Sequence, residues 1–469
     1  MKKTYNILWL LIALLASACR ISKDVKTPND YIPSAYRNSS NADTQTIAHI
    51  RWQDFFPDDR LQNLIDTALV RNFDMQLAIK NLEIAHQSLK QARMSLVPAV
   101  GLNVAASSTV PSKNSLNGSL TSQFLGREHI EDFSANIGIS WEADIWGKVR
   151  NRKRSALATY LQTAEARKAV QTGIITMVAQ SYYNLLMLDE QLKVAQRNVR
   201  LTDSTVRILQ LQQEAGQVTA LATQQAMAQQ LVAAQLIPQL EQDIELVENN
   251  LSILTGSVPQ RIERNTELGN LEIPASLPAG IPAQMVSNRP DVKSRELALT
   301  VANARVGLAK ADFYPALNIT ATGGVNSFKA SNWFNLPASL FGVVTGAIAQ
   351  PLLQRRAIRT NYNIAKIERE KTVIEFKQSV LQAVSEVSGA MVKIEKLDEQ
   401  YRAASNRAEV LQEATKNAQL LFQSGMANYL EVIIAQSNSL QSELALANIK
   451  LAHLNAVTEL YRAVGGGWK

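Results

Sequence analysis

The chain has 469 residues, 46% of them hydrophobic but only 6% aromatic, and it carries a formal charge of +7. Long Ala/Gln/Leu tracts with few glycines point away from a compact α/β enzyme and toward extended helices. A positive balance would suit nucleic acid, but the basic residues are dispersed along helical tracts and the first residues carry an export signal, so nucleic acid is excluded as a partner.

Lys2 and Lys3 precede an apolar run from Ile7 to Leu15 that is shorter than the roughly 20 residues a spanning helix needs. Residues 1–18 are therefore read as a signal peptide. The run ends in "LLASAC" at Cys19, the only cysteine, which excludes an internal disulfide. This segment resembles a bacterial lipobox, so Cys19 is the expected site of a covalent lipid, and residues 19–58 form a lipid-anchored segment.

A first repeat is expected over residues 59–262. A helix can run from Asp59 to Leu96, where Pro98 ends it by lacking a donor and disfavouring helix before it. Alternating apolar and polar residues then predict strands over about 99–108 and 132–146, joined by a loop rich in Ser, Asn and Gly. From Lys148 the period becomes helical. Leu185, Leu188, Leu192, Ala195, Val199, Thr202, Val206 and Leu209 fall alternately three and four apart, the seam of a coiled coil. With no breaker before Gly216, this helix reaches roughly 100 Å at about 1.5 Å per residue. Gly216 stops it, Thr219 is the expected N-cap of a return helix, and residues 216–220 form a hairpin tip.

After a Pro-rich linker over 263–282, the order repeats over 283–469. A helix from Val292 to Phe313 meets Pro315, strands follow over about 316–326 and 340–351, and an unbroken helix extends from Gln354 to Gln423. A second tip falls at 425–429, where Gly425, Asn428 and Leu430 repeat the spacing of Gly216, Thr219 and Leu221. The closing "AVGGGWK" reads as a loose terminus.

The expected fold is mainly α with a transmembrane β-barrel, built from two repeats that each combine long coiled-coil helices with two strands. Four strands cannot seal themselves against lipid, because an open edge leaves backbone groups unpaired. Three copies would supply a 12-strand wall, an even number within the known range. The reading is thus a homotrimeric barrel continuous with an α-helical periplasmic barrel. Pro98 and Pro315 would mark where a helix hands over to a strand, and Gly147 and Pro351 where the chain returns. Trp141 and Trp146 are candidates for an interfacial belt or for simple packing at the junction. Two basic clusters, Lys148, Arg150, Arg152, Lys153 and Arg154, then Arg355, Arg356 and Arg359, open long helices against the macrodipole. Either outer-membrane phospholipid headgroups or plain solvation accounts for them.

The segments "SNRPDVKSRELALTVANARVGLAKADFYPALNIT", "WEADIWGKVR", "IPQLEQDIELVENNLSILTGSVP" and "SGMANYLEVIIAQ" resemble the signatures of outer-membrane efflux lipoproteins of the TolC/NodT type, in the right order over nearly the whole mature chain. That resemblance implies a bacterial outer-membrane channel-tunnel docking with a periplasmic adaptor and an inner-membrane pump, commonly of the resistance-nodulation-division (RND) class. It also implies that Gly216, Thr219, Leu221, Gly425, Asn428 and Leu430 lie at adaptor-docking tips, and that Glu431 lines the periplasmic aperture. An N-x-x-E capping box from Asn428 to Glu431 would account for the same glutamate, so both roles stand. Ala222 occupies the equivalent first-half position.

No catalytic constellation or glycine-rich phosphate loop appears, so no enzyme activity and no cofactor beyond the lipid on Cys19 are expected. The four histidines lack metal-ligand spacing and the nine methionines form no cluster, which points away from a dedicated copper or silver exporter. A type I secretion tunnel of the same fold, or a lipid-anchored coiled-coil spacer without a barrel, are the competing readings.

Overall fold

The computed structural model describes residues 22–28, 31–37, 45–121, 123, 126, 128–272 and 277–469. The signal peptide, Cys19 and part of the Pro-rich linker lie outside them. The chain divides into two compact units, one taking in Ile84–Tyr160 and Leu297–Ile374 with the segment before Pro28, the other Pro28–Glu83, Leu161–Glu296 and Glu375–Lys469.

The first unit holds one antiparallel sheet of β1 (Ala99–Thr109), β2 (Ile130–Ala143), β3 (Ala316–Ser327) and β4 (Leu340–Ala349), hydrogen-bonded in that order. Its register places Leu102 opposite Ile137 and Val100 opposite Ile139, so the apolar residues of neighbouring strands share a face. Leu102, Val104, Ile137, Val344 and Ile348 stand exposed on that face. The other face carries Asn103, Ser134, Asn136, Ser140, Thr320, Thr322 and Asn326.

β2 stops at Ala143, short of the expected 146, because Asp144 turns to cap the following helix. Its carboxylate accepts from the backbone N–H groups of Val149 (2.8 Å) and Arg150 (3.0 Å). The β1–β2 connection, expected to be loop throughout, contains a short helix, Leu116–Leu120, capped by the Ser115 hydroxyl.

Helices in chain order are α1 (Trp52–Phe55), α2 (Asp59–Arg71), α3 (Phe73–Met94), α4 (Leu116–Leu120), α5 (Lys148–Glu214), α6 (Ala220–Leu254), α7 (Pro282–Asn288), α8 (Pro290–Ala311), α9 (Ala357–Gln423) and α10 (Tyr429–Ala463). The single helix expected from Asp59 to Leu96 is two. Asn72 breaks it, its Oδ1 accepting from the Met75 N–H (3.1 Å) while its Nδ2 donates to the Leu254 carbonyl (2.9 Å). α9 begins at Ala357 rather than Gln354, because Arg355 and Arg356 take positive φ of 46° and 68°. Pro238 sits inside α6, which continues through it.

The core of the second unit gathers Trp52, Phe56, Leu61 and Ile65 from the first helices, Ile174 to Leu188 from α5, Phe376 to Val387 from α9, Leu454 to Ala463 from α10 and the following Val464. The C-terminal residues belong to it, contrary to the loose terminus expected. Ala463 to Gly467 are buried, the Trp468 indole N–H donates to the Asn288 carbonyl (3.1 Å), and the Lys168 ammonium lies 4.3 Å over the Trp468 ring.

Candidate functional site

Both hairpin tips use the same local chemistry. Gly216 and Gly425 take φ of 72° and 74°, a left-handed conformation that a Cβ penalises. The Gln217 N–H donates to the Gln212 carbonyl (2.8 Å) and the Met426 N–H to the Leu421 carbonyl (2.8 Å), the six-to-one bond that satisfies a helix end. The two N-caps differ. Asn428 Oδ1 accepts from the N–H groups of Leu430 (2.8 Å) and Glu431 (3.2 Å). Thr219 is the N-cap residue of its return helix, as expected, but its side chain makes no bond to the helix. The capping box is likewise half formed. Among the described residues the Glu431 carboxylate makes no return bond to Asn428, and Glu431 is exposed.

Beneath the tips Val206, Leu209, Ala222, Ala226, Phe422 and Val432 form a small apolar cluster joining both hairpins. The Tyr429 hydroxyl donates to Gln225 Oε1 (2.9 Å) and links the two return helices. Leu221, Met426 and Leu430 stay outside the cluster, 58%, 72% and 47% exposed. Farther along, α5 and α10 are joined by polar bonds: Gln191 Nε2 donates to the Leu444 carbonyl (3.2 Å) and Asn198 Nδ2 to the Gln436 carbonyl (3.2 Å).

The helix–strand junctions are set by aromatics and charges. Pro98 and Pro315 stand immediately before β1 and β3, and Pro351 lies in the irregular segment after β4. The Trp146 indole N–H donates to the Pro315 carbonyl (2.8 Å) and its ring stacks on Tyr314 at 4.7 Å, so Trp146 packs at the junction. Trp141 stays partly exposed on the apolar sheet face. Gly147 supplies a φ of 74° between the Asp144 cap and α5.

Much of the first basic cluster is answered by the protein itself. Lys148 lies 3.3 Å from Asp312, Arg150 3.1 Å from Asp144 and Arg154 2.9 Å from Asp24. Lipid phosphate is therefore not needed to offset those three cations. The segment ahead of Pro28 is held further by Asn303, which accepts from the Val25 N–H (3.0 Å) and donates to the Val25 carbonyl (2.9 Å).

One ionic cluster around a buried arginine escaped the sequence reading. The Arg289 side chain, 4% exposed, grips Asp291 with two donors (3.0 and 2.6 Å), reaches Glu386 (2.8 Å) and donates to the Ala463 carbonyl (3.2 Å). Burial opposes charging Asp291, but the two Arg289 bonds outweigh it and hold this carboxyl below its usual range. The signal was present as "NRPD", which places Arg and Asp two apart around the proline that opens α8.

His453 on α10 is buried, and among the described residues neither ring nitrogen has a hydrogen-bond partner. Burial depresses its pKa, with Asp398 pulling weakly the other way. The unfolded chain therefore takes up this proton first, near the ordinary 6.5 or so, and stability present above that pH is lost as the pH falls below it. Thermal unfolding at about pH 7.5 and about pH 5.5 checks this: His453→Gln is expected to narrow the difference in midpoint.

The family model "Outer membrane efflux protein" matches residues 64–257 and 281–466. The chain is 28% identical over 467 residues to the probable efflux pump outer membrane protein TtgC of Pseudomonas putida, covering 97% of this chain and 94% of that one. It is 27% identical over 461 residues to the cation efflux system protein CusC of Escherichia coli, covering 98% of each. Among solved structures, CusC superposes with a TM-score of 0.83 at 25% identity over 95% of this chain and 99% of that one. The open-state MtrE outer membrane channel of Neisseria gonorrhoeae gives 0.86 at 25% identity over 96% and 98%. The chain belongs to the outer membrane efflux protein family, with the fold and outer-membrane location of an efflux channel.

Proposed function

We propose that three copies of this chain pair β1 of one with β4 of the next, closing a 12-strand barrel whose polar face lines a water-filled bore. The helices continue that bore as a periplasmic duct, and the covalent lipid on Cys19 tethers each copy to the outer membrane. A periplasmic adaptor docks at the tips, and an inner-membrane pump of the RND class delivers the solute.

The observation that carries this reading is the sheet. Its order leaves β1 and β4 as edges, and an exposed apolar face runs the length of strands too few to close on themselves. The exposed Leu221, Met426 and Leu430 at the tips support docking there. A complex in detergent that collapses on heating to a single-chain species is the expected result, and a stable monomer before heating would refute the assembly.

In this reading Glu431, exposed and held one turn from the second tip, contributes one carboxylate per chain to an acidic periplasmic aperture. In planar bilayers Glu431→Ala is expected to raise the resting conductance and weaken the preference for cations. Unchanged values would leave Glu431 as a helix-end residue only.

A further inference from the structure

The two long helices begin and end 209 residues apart, Lys148 with Ala357 and Glu214 with Gln423, so the elbows that lead into them can be compared position by position. At that spacing Arg359 corresponds to Arg150, Arg356 to Gly147 and Leu353 to Asp144. In the first elbow the Asp144 carboxylate holds the Arg150 guanidinium at 3.1 Å. In the second an uncharged leucine stands in its place, and among the described residues no carboxylate pairs with Arg355, Arg356 or Arg359. All three arginines are exposed.

The backbone of this elbow gives a second reason to ask what those cations do. Gly147 reaches its φ of 74° at no steric cost, whereas Arg356 holds 68° and Arg355 46° against the clash of a Cβ. Two arginines kept where glycine fits better point to a use for their side chains. The residues just before them are apolar: Leu352 and Leu353 are 87% and 96% exposed, and they follow β4, whose Val344 and Ile348 stand exposed on the apolar sheet face. Two leucines and then three cations, at the helix end of a lipid-facing wall, repeat the order of acyl chain and phosphate met on leaving a bilayer. A second copy of the chain does not supply the missing anion. In the three-chain barrel proposed above, β1 of the next copy stands beside β4, and between Glu83 and β1 the sequence carries Lys90 and Arg93 but no acid.

We propose that the elbow over residues 352–359 is a binding surface for an anionic phospholipid in the inner leaflet of the outer membrane. Leu352 and Leu353 enter the acyl layer, and Arg355, Arg356 and Arg359 take the headgroup phosphate, which does for this elbow what the Asp144 carboxylate does for the other. The surface lies within one chain, and the barrel decides only which strand stands beside it.

Fluorescent phosphatidylglycerol and fluorescent phosphatidylcholine, titrated separately into the purified full chain in a neutral detergent and followed by anisotropy, test this. The wild-type chain is expected to bind phosphatidylglycerol at least about fivefold more tightly than phosphatidylcholine. Arg355→Gly combined with Arg356→Gly is expected to weaken phosphatidylglycerol binding by about twentyfold. The same variant keeps its oligomer on unheated gels, because glycine relieves both left-handed positions. Arg407→Gln combined with Lys416→Gln, which removes the same charge from exposed positions far along α9, is expected to leave binding unchanged. Unchanged binding in the glycine variant, or equal loss in both double variants, would overturn the site. Displacement of the lipid by inorganic phosphate at matched ionic strength would overturn its assignment to phospholipid. A wild-type monomer that still binds phosphatidylglycerol would refute the barrel and leave this surface standing.

Discussion

Arg289→Ala is expected to cost about 2–3 kcal/mol of folding stability, less than the penalty for breaking a fully buried ion pair because the Asp291 side chain it leaves is half exposed. The substitution removes the shared partner of two carboxylates at once. Asp291 loses both donors of a bidentate grip, while Glu386 keeps Arg462 at 3.3 Å and the Gln382 amide at 3.4 Å. It also frees the Ala463 carbonyl at the end of α10, so the helix end and the start of α8 separate. Arg289→Lys keeps the charge but not the planar fork and is expected to fall between wild type and alanine. Denaturant unfolding followed by the helical circular dichroism signal measures the loss. A variant within about 1 kcal/mol of wild type would show that the cluster is not a stabilising clamp.

Gly466→Ala is expected to be comparably damaging for one added methyl group. A Cβ there would stand 2.3 Å from a Tyr461 ring carbon. That ring has nowhere to go: it stacks on Phe55 at 4.0 Å, meets Phe56 edge-on at 6.1 Å, and its hydroxyl donates to the Ile50 carbonyl at 2.6 Å. Burial pushes the Tyr461 hydroxyl up to about 12, consistent with a group sealed in the core. Overpacking at such a site costs about 3 kcal/mol, and the expected signs are a lowered unfolding midpoint and loss of the assembled species on unheated gels. Gly269→Ala, where nothing lies within 4 Å of an added Cβ, is the control expected to be silent.

These two sites also show where residue pattern stops being informative. Arg289 read only as part of a family signature, and "AVGGGWK" read as a loose end, because a string of glycines carries no periodicity from which to infer burial. The close approach of Gly465 to Asn288, and the packing of the Tyr461 ring against Phe55 and Phe56 that leaves Gly466 no room for a Cβ, depend on segments far apart in sequence. Thr219 and Asn428 teach the same lesson locally. Both are capping residue types one turn after a tip glycine, yet only the asparagine side chain closes on its helix.

The sequence by itself determined the alternation of long helices with two-faced strands, the proline and glycine punctuation, and the near-repetition of the two halves. Each of those follows from backbone restrictions and side-chain period acting over a few neighbouring residues. Only the tertiary structure decided that Asn72 divides the first helix, that Asp144 ends β2, and that the first basic cluster is largely paired internally. Those outcomes depend on which distant donors, carboxylates and strand partners arrive within about 3 Å, a matter of register and packing that no local pattern encodes.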